Sequence, residues 1–251
     1  MKRLPFIAFL VCCLLLPACG GAKVKEYRVK VVNEYPHDIG AYTQGLFFFG
    51  NSLIETTGQY GESSLREVDL ESGKILRKVD FNSKYFAEGS VAMDGDLFIL
   101  TWTNKVAFRY DPETFAYRGT LGWPKEGWGL TTDGKRLIIS DGTSNLYFVD
   151  KSFKIQKTIK ARLDGRPVRL LNELEWIDGK IWANVYMTDL ILIINPEDGA
   201  VEATVDCSGL LPQSLRTDDT DVLNGIACLG KRVFLTGKNW PRLYEVRLER
   251  K

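Results

Sequence analysis

A short unit that recurs five times constrains the fold of this 251-residue chain more than any other feature of its sequence. Each unit opens with a three-residue signal for the start of a strand, and the middle residues of these openings lie 44, 40, 45 and 51 positions apart. The openings are Gln44-Gly45-Leu46, Glu88-Gly89-Ser90, Trp128-Gly129-Leu130, Glu173-Leu174-Glu175 and Asn224-Gly225-Ile226. A repeat of this length indicates supersecondary modules that bury their apolar faces against one another.

Each unit continues with the signals of further strands. A glycine soon after the opening marks a tight turn into a second, apolar strand, at Gly50, Gly95, Gly134, Gly179 and Gly230. A third strand alternates apolar residues and, in four units, ends in Asp or Asn beside a turn, where such side chains bond the backbone ahead. A fourth strand is predicted in four units, over 75–81, 117–123, 155–161 and 201–207.

The fifth unit has no fourth strand of its own, because the sequence ends at Lys251. An alternating segment over 27–35 precedes the first unit with nothing of its own to pair with. If that segment completes the last unit, the ring closes and no sheet edge is left open to aggregation. The sequence therefore predicts an all-β fold, a five-bladed β-propeller of four-stranded blades with the last blade completed by the N-terminal strand.

Alternative architectures fit the sequence less well. A sandwich would not repeat the glycine turn with such even spacing, and no segment shows sustained helical periodicity. In the predicted propeller, Cys207 lies on an outermost strand and Cys228 on the next unit's innermost strand. Three strand spacings of about 4.8 Å exceed a disulfide's Cα reach of roughly 7 Å. We therefore expect these two cysteines to be unpaired.

The first residues read as an export signal. Lys2 and Arg3 precede an apolar stretch over 4–16 that is too short to span a membrane. It ends in Leu-Pro-Ala before Cys19, a pattern typical of bacterial lipoproteins, and an ordinary secretory signal is the alternative. Gly20 is not the Asp that retains lipoproteins at the inner membrane, so we expect the outer membrane, facing the periplasm. The predicted organisation is a signal peptide over 1–18 with Cys19 lipidated, a tether over 19–25 and a β-propeller domain over 26–251.

The charge balance excludes two classes of partner. The whole chain carries a formal net charge of +1, and removal of the signal segment with its two basic residues brings it to about −1. A net charge this close to zero does not favour binding to nucleic acid or to anionic lipid, both of which attract basic proteins. We therefore expect contact with a membrane only through the lipid anchor. A monomer is expected, since a closed ring leaves no exposed edge strand.

The repeat also predicts which side chains meet. The openings place Gln44, Glu88, Trp128, Glu173 and Asn224 in one ring around the central channel. The positions just past the second strands form another ring, of Gly58, Trp102, Gly142, Tyr186 and Lys238. Both rings should lie at the same end, because a strand starts where its antiparallel neighbour finishes. Taken singly, each residue also fits packing or a solvated loop; together they favour a concave site with convergent polar groups.

Several kinds of chemistry are missing from the sequence. His37 is the single histidine, which argues against a His-based triad and a His-rich zinc site. No glycine-rich phosphate loop or dinucleotide fingerprint is present. Asp218, Asp219 and Asp221 cluster before the fifth unit, where a solvated turn is favoured over a calcium loop. We expect no cofactor, with a structural calcium ion as the open alternative.

At this point a family resemblance becomes specific. The chain resembles the plant and bacterial type of glutaminyl-peptide cyclotransferase, in order through all five units from about residue 40 to 246. The segments that carry the resemblance include Tyr42-Thr43-Gln44-Gly45-Leu46, Phe86-Ala87-Glu88-Gly89, Glu126-Gly127-Trp128-Gly129-Leu130, Leu171-Asn172-Glu173-Leu174-Glu175-Trp176, Trp182-Ala183-Asn184-Val185-Tyr186 and Thr236-Gly237-Lys238-Asn239-Trp240-Pro241. It implies a five-bladed propeller, conversion of N-terminal glutaminyl residues to pyroglutamyl with release of ammonia, and no catalytic zinc.

The resemblance also implies roles for particular residues. Glu88 would be the acid/base, with Lys238 and Asn172 as the other catalytic groups and Gln44 as a polar partner. An aromatic wall would consist of Tyr42, Phe86, Trp102, Trp128 and Tyr186, where Tyr186 replaces the Trp that the family more often has. Glu173 is a second candidate carboxylate at the substrate site, and a structural role for it is about equally favoured.

Such a set suits the cyclisation. One carboxylate can take the proton of the attacking amine and deliver it to the leaving nitrogen, while Lys238 and Asn172 stabilise the oxyanion. The aromatic wall would raise the pKa of Glu88 by desolvation and Lys238 would lower it, and the sequence does not decide between them. Two other functions stay open from the sequence: a calcium-dependent hydrolase of the lactonase kind, and a non-catalytic scaffold.

Overall fold

The computed structural model describes residues 23–251, so the predicted signal peptide and Cys19 lie outside the described part. Strands account for nearly all the regular structure of this range; the exception is a single 3-10 turn, Gln213–Leu215. Within 23–251 no helix is long and apolar enough to cross a membrane. The first strand, β1 (Lys25–Pro36), extends the predicted N-terminal strand by two residues at its start and one at its end.

Four successive strands make up each of the first three units, as the repeat predicts. The first unit contains β2 (Thr43–Phe49), β3 (Ser52–Thr57), β4 (Ser64–Val68) and β5 (Ile75–Asp80). The second contains β6 (Ala87–Met93), β7 (Asp96–Thr101), β8 (Val106–Tyr110) and β9 (Tyr117–Gly122). The third contains β10 (Leu130–Thr132), β11 (Leu137–Ser140), β12 (Asn145–Val149) and β13 (Ile155–Lys160).

A small hairpin precedes the fourth unit and was not predicted from the repeat. It consists of β14 (Arg162–Leu163) and β15 (Arg166–Pro167). The fourth unit contains β16 (Leu171–Ile177), β17 (Lys180–Val185), β18 (Leu190–Ile194) and β19 (Val201–Asp206). The fifth contains β20 (Leu223–Leu229), β21 (Arg232–Gly237) and β22 (Arg242–Arg250).

The N-terminal strand joins the two ends of the chain. β1 pairs antiparallel with β22, with Val29 opposite Leu248, and so supplies the missing fourth strand of the last unit as predicted. It also pairs parallel with β19, with Tyr27 opposite Val205. The fourth and fifth units therefore share one eight-stranded sheet, in the order β16-β17-β18-β19-β1-β22-β21-β20.

The first strands of the repeated units lie next to one another. They make contact in the cyclic order β2, β6, β10, β16 and β20, and β20 returns to contact β2. Most buried apolar residues within 23–251 fall into five clusters, each between two neighbouring units. One cluster, for example, packs Phe98 of the second unit with Leu137 and Tyr147 of the third.

Glycines let the innermost strands approach each other closely. A Cβ on Gly129 would overlap the backbone carbonyl of Asn172 in the next unit, and one on Gly89 would overlap the backbone of Leu130. Backbone atoms cannot yield as a flexible side chain can, so these positions exclude any side chain. Gly89 and Gly129 therefore determine how closely the innermost strands of neighbouring units can approach each other.

The fourth unit is offset by one residue from the predicted alignment. Leu171 pairs with Val185 before the strand irregularity, as Ala87 pairs with Thr101 in the second unit. Asn172 is therefore the equivalent of Glu88, and Glu173 stands where the other units have glycine. The prediction that Glu173 belongs to the ring of opening residues is wrong, because Leu174 was aligned with the glycines. Successive strand residues face opposite sides, so one step changes the direction of the side chain.

The cysteines follow the prediction. Cys207 is buried just after β19, Cys228 is partly buried on β20, and both are free thiols. Their separation across the sheet accounts for the absence of a bond between them.

Replacement of Gly129 by alanine should test the role of these glycines. We expect Gly129→Ala to lower the free energy of unfolding by about 3 kcal/mol or more, since the new methyl group overlaps backbone atoms of the next unit. The matched control is Gly122→Ala on β9, where a Cβ meets nothing within 4 Å. Urea unfolding of both variants measures the difference, and equal stabilities would contradict the close approach of the inner strands.

Candidate active site

A cavity of about 300 Å³ opens at one end of the ring, and all five units contribute to its wall. Its lining residues come from the starts of first strands or from the positions just past second strands, as antiparallel pairing predicts. They are Tyr42, Gln44, Gln59, Phe86, Glu88, Trp102, Trp128, Asn172, Tyr186 and Lys238. The structure thus brings together every predicted catalytic and substrate-binding residue except Glu173, and it adds Gln59.

Glu88 is a buried carboxyl group that faces the cavity without a partner. It is 4% exposed, and its side chain makes no hydrogen bond or salt bridge to any residue in 23–251. Burial raises the pKa of Glu88 well above its usual value, Lys238 acts in the opposite direction, and Glu126 adds to the rise. Desolvation therefore prevails over the attraction of Lys238, which settles the balance that the sequence left open. A raised pKa suits a carboxyl group that both takes and gives a proton during a reaction.

Lys238 brings a nearly buried ammonium to the same cavity. The residue is 2% exposed, and its Nζ lies 4.6 Å from the centre of the Tyr42 ring and 5.0 Å from that of Tyr186. Burial lowers the pKa of Lys238, while the charges of Glu88 and Asp221 raise it. Two aromatic faces stabilise a desolvated cation by their negative π clouds.

Gln44 is held by an amide behind it. Asn224 is fully buried, and its Nδ2 donates to the backbone carbonyl of Thr43 at 2.9 Å and to Oε1 of Gln44 at 3.2 Å. The Nε2 donors of Gln44 are thereby left for the cavity. Asn224 itself does not line the cavity; it acts through its neighbour. Asn172 is fixed through its backbone, whose carbonyl accepts a hydrogen bond from Ser140 Oγ at 2.7 Å.

The aromatic side chains contact one another in two groups. Phe86 packs edge-on against Tyr42 and Trp102, with ring centres 6.1 and 5.6 Å apart. Trp128 and Tyr186 meet nearly at right angles, 5.7 Å apart. These rings form the apolar part of the cavity wall, and the few polar groups of the site lie among them.

Glycines support this aromatic wall from behind. The Phe86 ring lies against Gly58 and the Trp128 ring against Gly142, where any Cβ would overlap the ring atoms. Gly142 also has a φ of 73°, a backbone conformation that favours glycine. The two glycines of the predicted second ring therefore make room for aromatic side chains from neighbouring positions.

Comparison with known proteins gives the family of the chain. The model of the glutamine cyclotransferase family matches residues 6–248. The chain belongs to this family. It is 44% identical over 231 residues to glutaminyl-peptide cyclotransferase of Arabidopsis thaliana, covering 88% of this chain and 72% of the plant protein. The crystal structure of Myxococcus xanthus glutaminyl cyclase is similar, with a TM-score of 0.85, 35% identity, and coverage of 91% of this chain and 100% of the other.

Three residues at this cyclotransferase site were not assigned from the sequence. Glu126 accepts hydrogen bonds from the indole N–H groups of both Trp102 and Trp128, each at 3.0 Å and on the same oxygen, and so ties the wall together. Gln59 enters the lining in a left-handed conformation, with a φ of 82°. Asp221 accepts a hydrogen bond from the Tyr42 hydroxyl at 2.9 Å. A signal existed for Glu126, which stands two residues before Trp128 in a segment that carries the family resemblance.

Glu173 does not line the cavity; its side chain connects the innermost strands of neighbouring units. Its Oε2 accepts a hydrogen bond from the Ile226 N–H at 2.9 Å and its Oε1 one from the Leu46 N–H at 3.4 Å, so it links three units. Burial, and then repulsion by Glu175, raises the pKa of Glu173 well above its usual value. The expectation that Glu173 binds substrate is therefore corrected, because both of its oxygens face backbone amides of other inner strands.

The aspartates before the fifth unit, Asp218, Asp219 and Asp221, are not arranged around a common metal position. No group of three His, Cys, Asp or Glu side chains within 23–251 is arranged to hold a metal ion. Asp221 instead accepts hydrogen bonds from Tyr42 and from the Val222 N–H at 2.8 Å.

The variant Glu173→Gln should distinguish the structural role of the buried Glu173 carboxyl from the catalytic role expected of Glu88. The amide leaves one backbone N–H unpaired, so we expect a loss of about 1–3 kcal/mol in stability and turnover within about tenfold of the unsubstituted protein, since general acid–base help alone exceeds that factor. A raised carboxyl pKa means that the folded state binds the extra proton, so stability falls as pH rises from the ordinary value through the folded one. Urea unfolding near pH 5 and pH 8 should show a smaller fall in the variant. An activity loss as large as that of Glu88→Gln would contradict the structural role.

Proposed function

We propose that this cavity converts the N-terminal glutaminyl residue of a peptide into pyroglutamyl and releases ammonia. The observation that carries the proposal is the unpartnered, buried Glu88 beside the aromatic-held Lys238 in a cavity of a glutamine cyclotransferase. Both groups are costly to bury, so their retention in one small cavity points to a reaction that uses them.

The reaction forms one bond and breaks another. The α-amine nitrogen attacks the side-chain amide carbon of the same residue, and the bond between that carbon and the amide nitrogen then breaks. Glu88 as a carboxylate takes a proton from the attacking nitrogen and delivers it to the leaving nitrogen, which departs as ammonia. Glu88 thereby returns to its starting state, and no other reactant is consumed.

Charge develops on the amide oxygen when the amine attacks. The ammonium of Lys238 has no competing hydrogen bond within the described range, so its donors are available to that oxygen. Asn172 and the Nε2 group of Gln44 are the other donors in the cavity. Donors already in position stabilise a developing oxyanion without reorganising during the step.

The apolar wall has a separate task. Cyclisation needs the glutaminyl side chain folded back so that nitrogen and carbon come within about 3–3.5 Å. Phe86, Trp102 and Trp128 would enclose the two methylene groups of that side chain and exclude water. At about 300 Å³ the cavity lies at the small end for ligand sites, which suits a single residue with the rest of the peptide outside.

The proposed scaffold is a five-bladed propeller whose last blade is completed by β1. The cyclic contacts of the first strands and the five clusters between neighbouring units support this count. Such a ring collects residues from all blades at one end of a central channel, which is where the cavity lies.

The main test is incubation with a peptide that begins with glutamine. We expect the product to lose the mass of one ammonia, with equal rates in the presence and absence of EDTA. Glu88→Gln should fold and lower turnover by about 10²–10⁴, because an amide cannot exchange the proton. Glu173→Gln is the matched control, since it makes the same change in another buried carboxyl. No mass loss with the unsubstituted protein, or full activity of Glu88→Gln, would contradict the proposal; loss of activity in EDTA would favour a calcium-dependent enzyme.

We also propose an exported, lipid-anchored monomer at the outer membrane, facing the periplasm. The support is the sequence alone: the basic start, the apolar stretch over 4–16 and the small residue before Cys19.

Cys19→Ala should abolish the anchor. We expect the unsubstituted protein to take up labelled palmitate in a bacterial host and to sediment with outer membranes. The variant has no thiol for the lipid, so it should take up none. Labelling of Cys19→Ala equal to that of the unsubstituted protein would contradict this assignment.

A further inference from the structure

Lys238 is positioned without hydrogen bonds to its charged group. Its backbone is fixed, because its N–H donates to the Val222 carbonyl at 2.9 Å and its carbonyl accepts from the Asp221 N–H at 3.0 Å. Its Nζ, by contrast, has the Tyr42 and Tyr186 rings as its nearest support. The place of the ammonium therefore depends on what holds those rings.

Asp221 holds the far end of the Tyr42 ring. Its Oδ2 accepts the Tyr42 hydroxyl at 2.9 Å and its Oδ1 accepts the Val222 N–H at 2.8 Å. Its backbone carbonyl accepts the indole N–H of Trp240 at 2.9 Å, and Trp240 is buried against Gly237. Asp221 is thus fixed on two sides, and it does not itself line the cavity.

We propose that Asp221 is a positioning residue of the cyclisation: its hydrogen bond to Tyr42 keeps that ring beside the Lys238 Nζ, and its negative charge favours the ammonium form of Lys238. This inference rests on the proposed function, because it assigns to Lys238 the stabilisation of the oxyanion. Asp221 touches neither the substrate nor the reacting atoms.

The reaction itself creates the need for a second negative charge. The titratable groups that face Lys238 are the Glu88 and Asp221 carboxyls and the Tyr42 and Tyr186 hydroxyls. Glu88 becomes neutral when it takes the substrate's proton, at the moment when the oxyanion requires a cation. Asp221 is the one carboxyl group of this set that takes no part in the proposed proton transfer. It offsets the burial that favours loss of the Lys238 proton.

Asp221→Asn tests the charge and keeps the shape. The amide of the variant can still donate to the Tyr42 oxygen, so the ring stays in place. The ratio kcat/KM for a glutaminyl peptide should follow a bell-shaped pH profile, with an acid limb from Glu88 and the substrate's α-amine, which must be neutral to attack, and an alkaline limb from Lys238. We expect Asp221→Asn to move the alkaline limb to lower pH by about one pH unit and to leave the acid limb in place. NMR titration of isotope-labelled lysine side chains, with Lys238 assigned by Lys238→Arg, should show the same shift.

Two control variants separate charge from position. Asp219→Asn removes the same charge from an exposed side chain nearby and should leave both limbs unchanged. Tyr42→Phe keeps the ring and the Asp221 charge but removes the hydrogen bond, so it should lower kcat/KM at every pH without moving the alkaline limb. The proposal is overturned if Asp221→Asn moves neither the limb nor the Lys238 titration, or if Asp219→Asn moves them equally. If the unsubstituted protein cyclises no glutaminyl peptide, the proposed function fails, and the NMR titration still decides what Asp221 does to Lys238.

Discussion

Everything at the cavity depends on the pairing of β1 with β22, which joins the two ends of the chain. Tyr42 and Lys238 belong to the first and last units, yet their side chains are in contact. If the circle of units failed to close, the first and fifth units would be free to separate. The contact between the Tyr42 aromatic ring and the Lys238 ammonium would then be lost. Stability and site geometry therefore rest on the same strand pair.

Within that ring the site buries two ionisable side chains, which are therefore poorly solvated. Glu88 and Lys238 line one cavity but form no salt bridge in the part of the chain described, so neither neutralises the other completely. Each is displaced from its ordinary pKa by burial. A tight ion pair would stabilise the resting protein more, and it would also occupy the groups that the substrate needs. The faces of the Tyr42 and Tyr186 rings offset part of this cost for Lys238.

The sequence was sufficient for the all-β class, for the pairing of the two chain ends and for most of the cavity, because repeats report which positions are equivalent. It failed where one unit breaks the pattern. In the fourth unit, neither Glu173 nor Leu174 is a glycine, so the sequence allows either residue to be aligned with the glycines of the other units. The pairing of Leu171 with Val185 shows that Glu173 is the equivalent residue. Glu126 and Asp221 were not recognised because their roles depend on hydrogen bonds to the side chains of other residues, which spacing along the chain does not encode.

The direction of β1 has a consequence for how the molecule would sit on a surface. The strand ends at Pro36, opposite Arg242, on the side where β21 delivers Lys238 to the cavity. It begins at Lys25, so its twelve residues, at about 3.3 Å each, run from the far face of the ring to the face with the opening. A lipid joined upstream of Lys25 would draw the face opposite the cavity toward the bilayer and turn the opening outward. Chain termini emerging from neighbouring proteins could then reach the pocket without passing between the ring and the membrane.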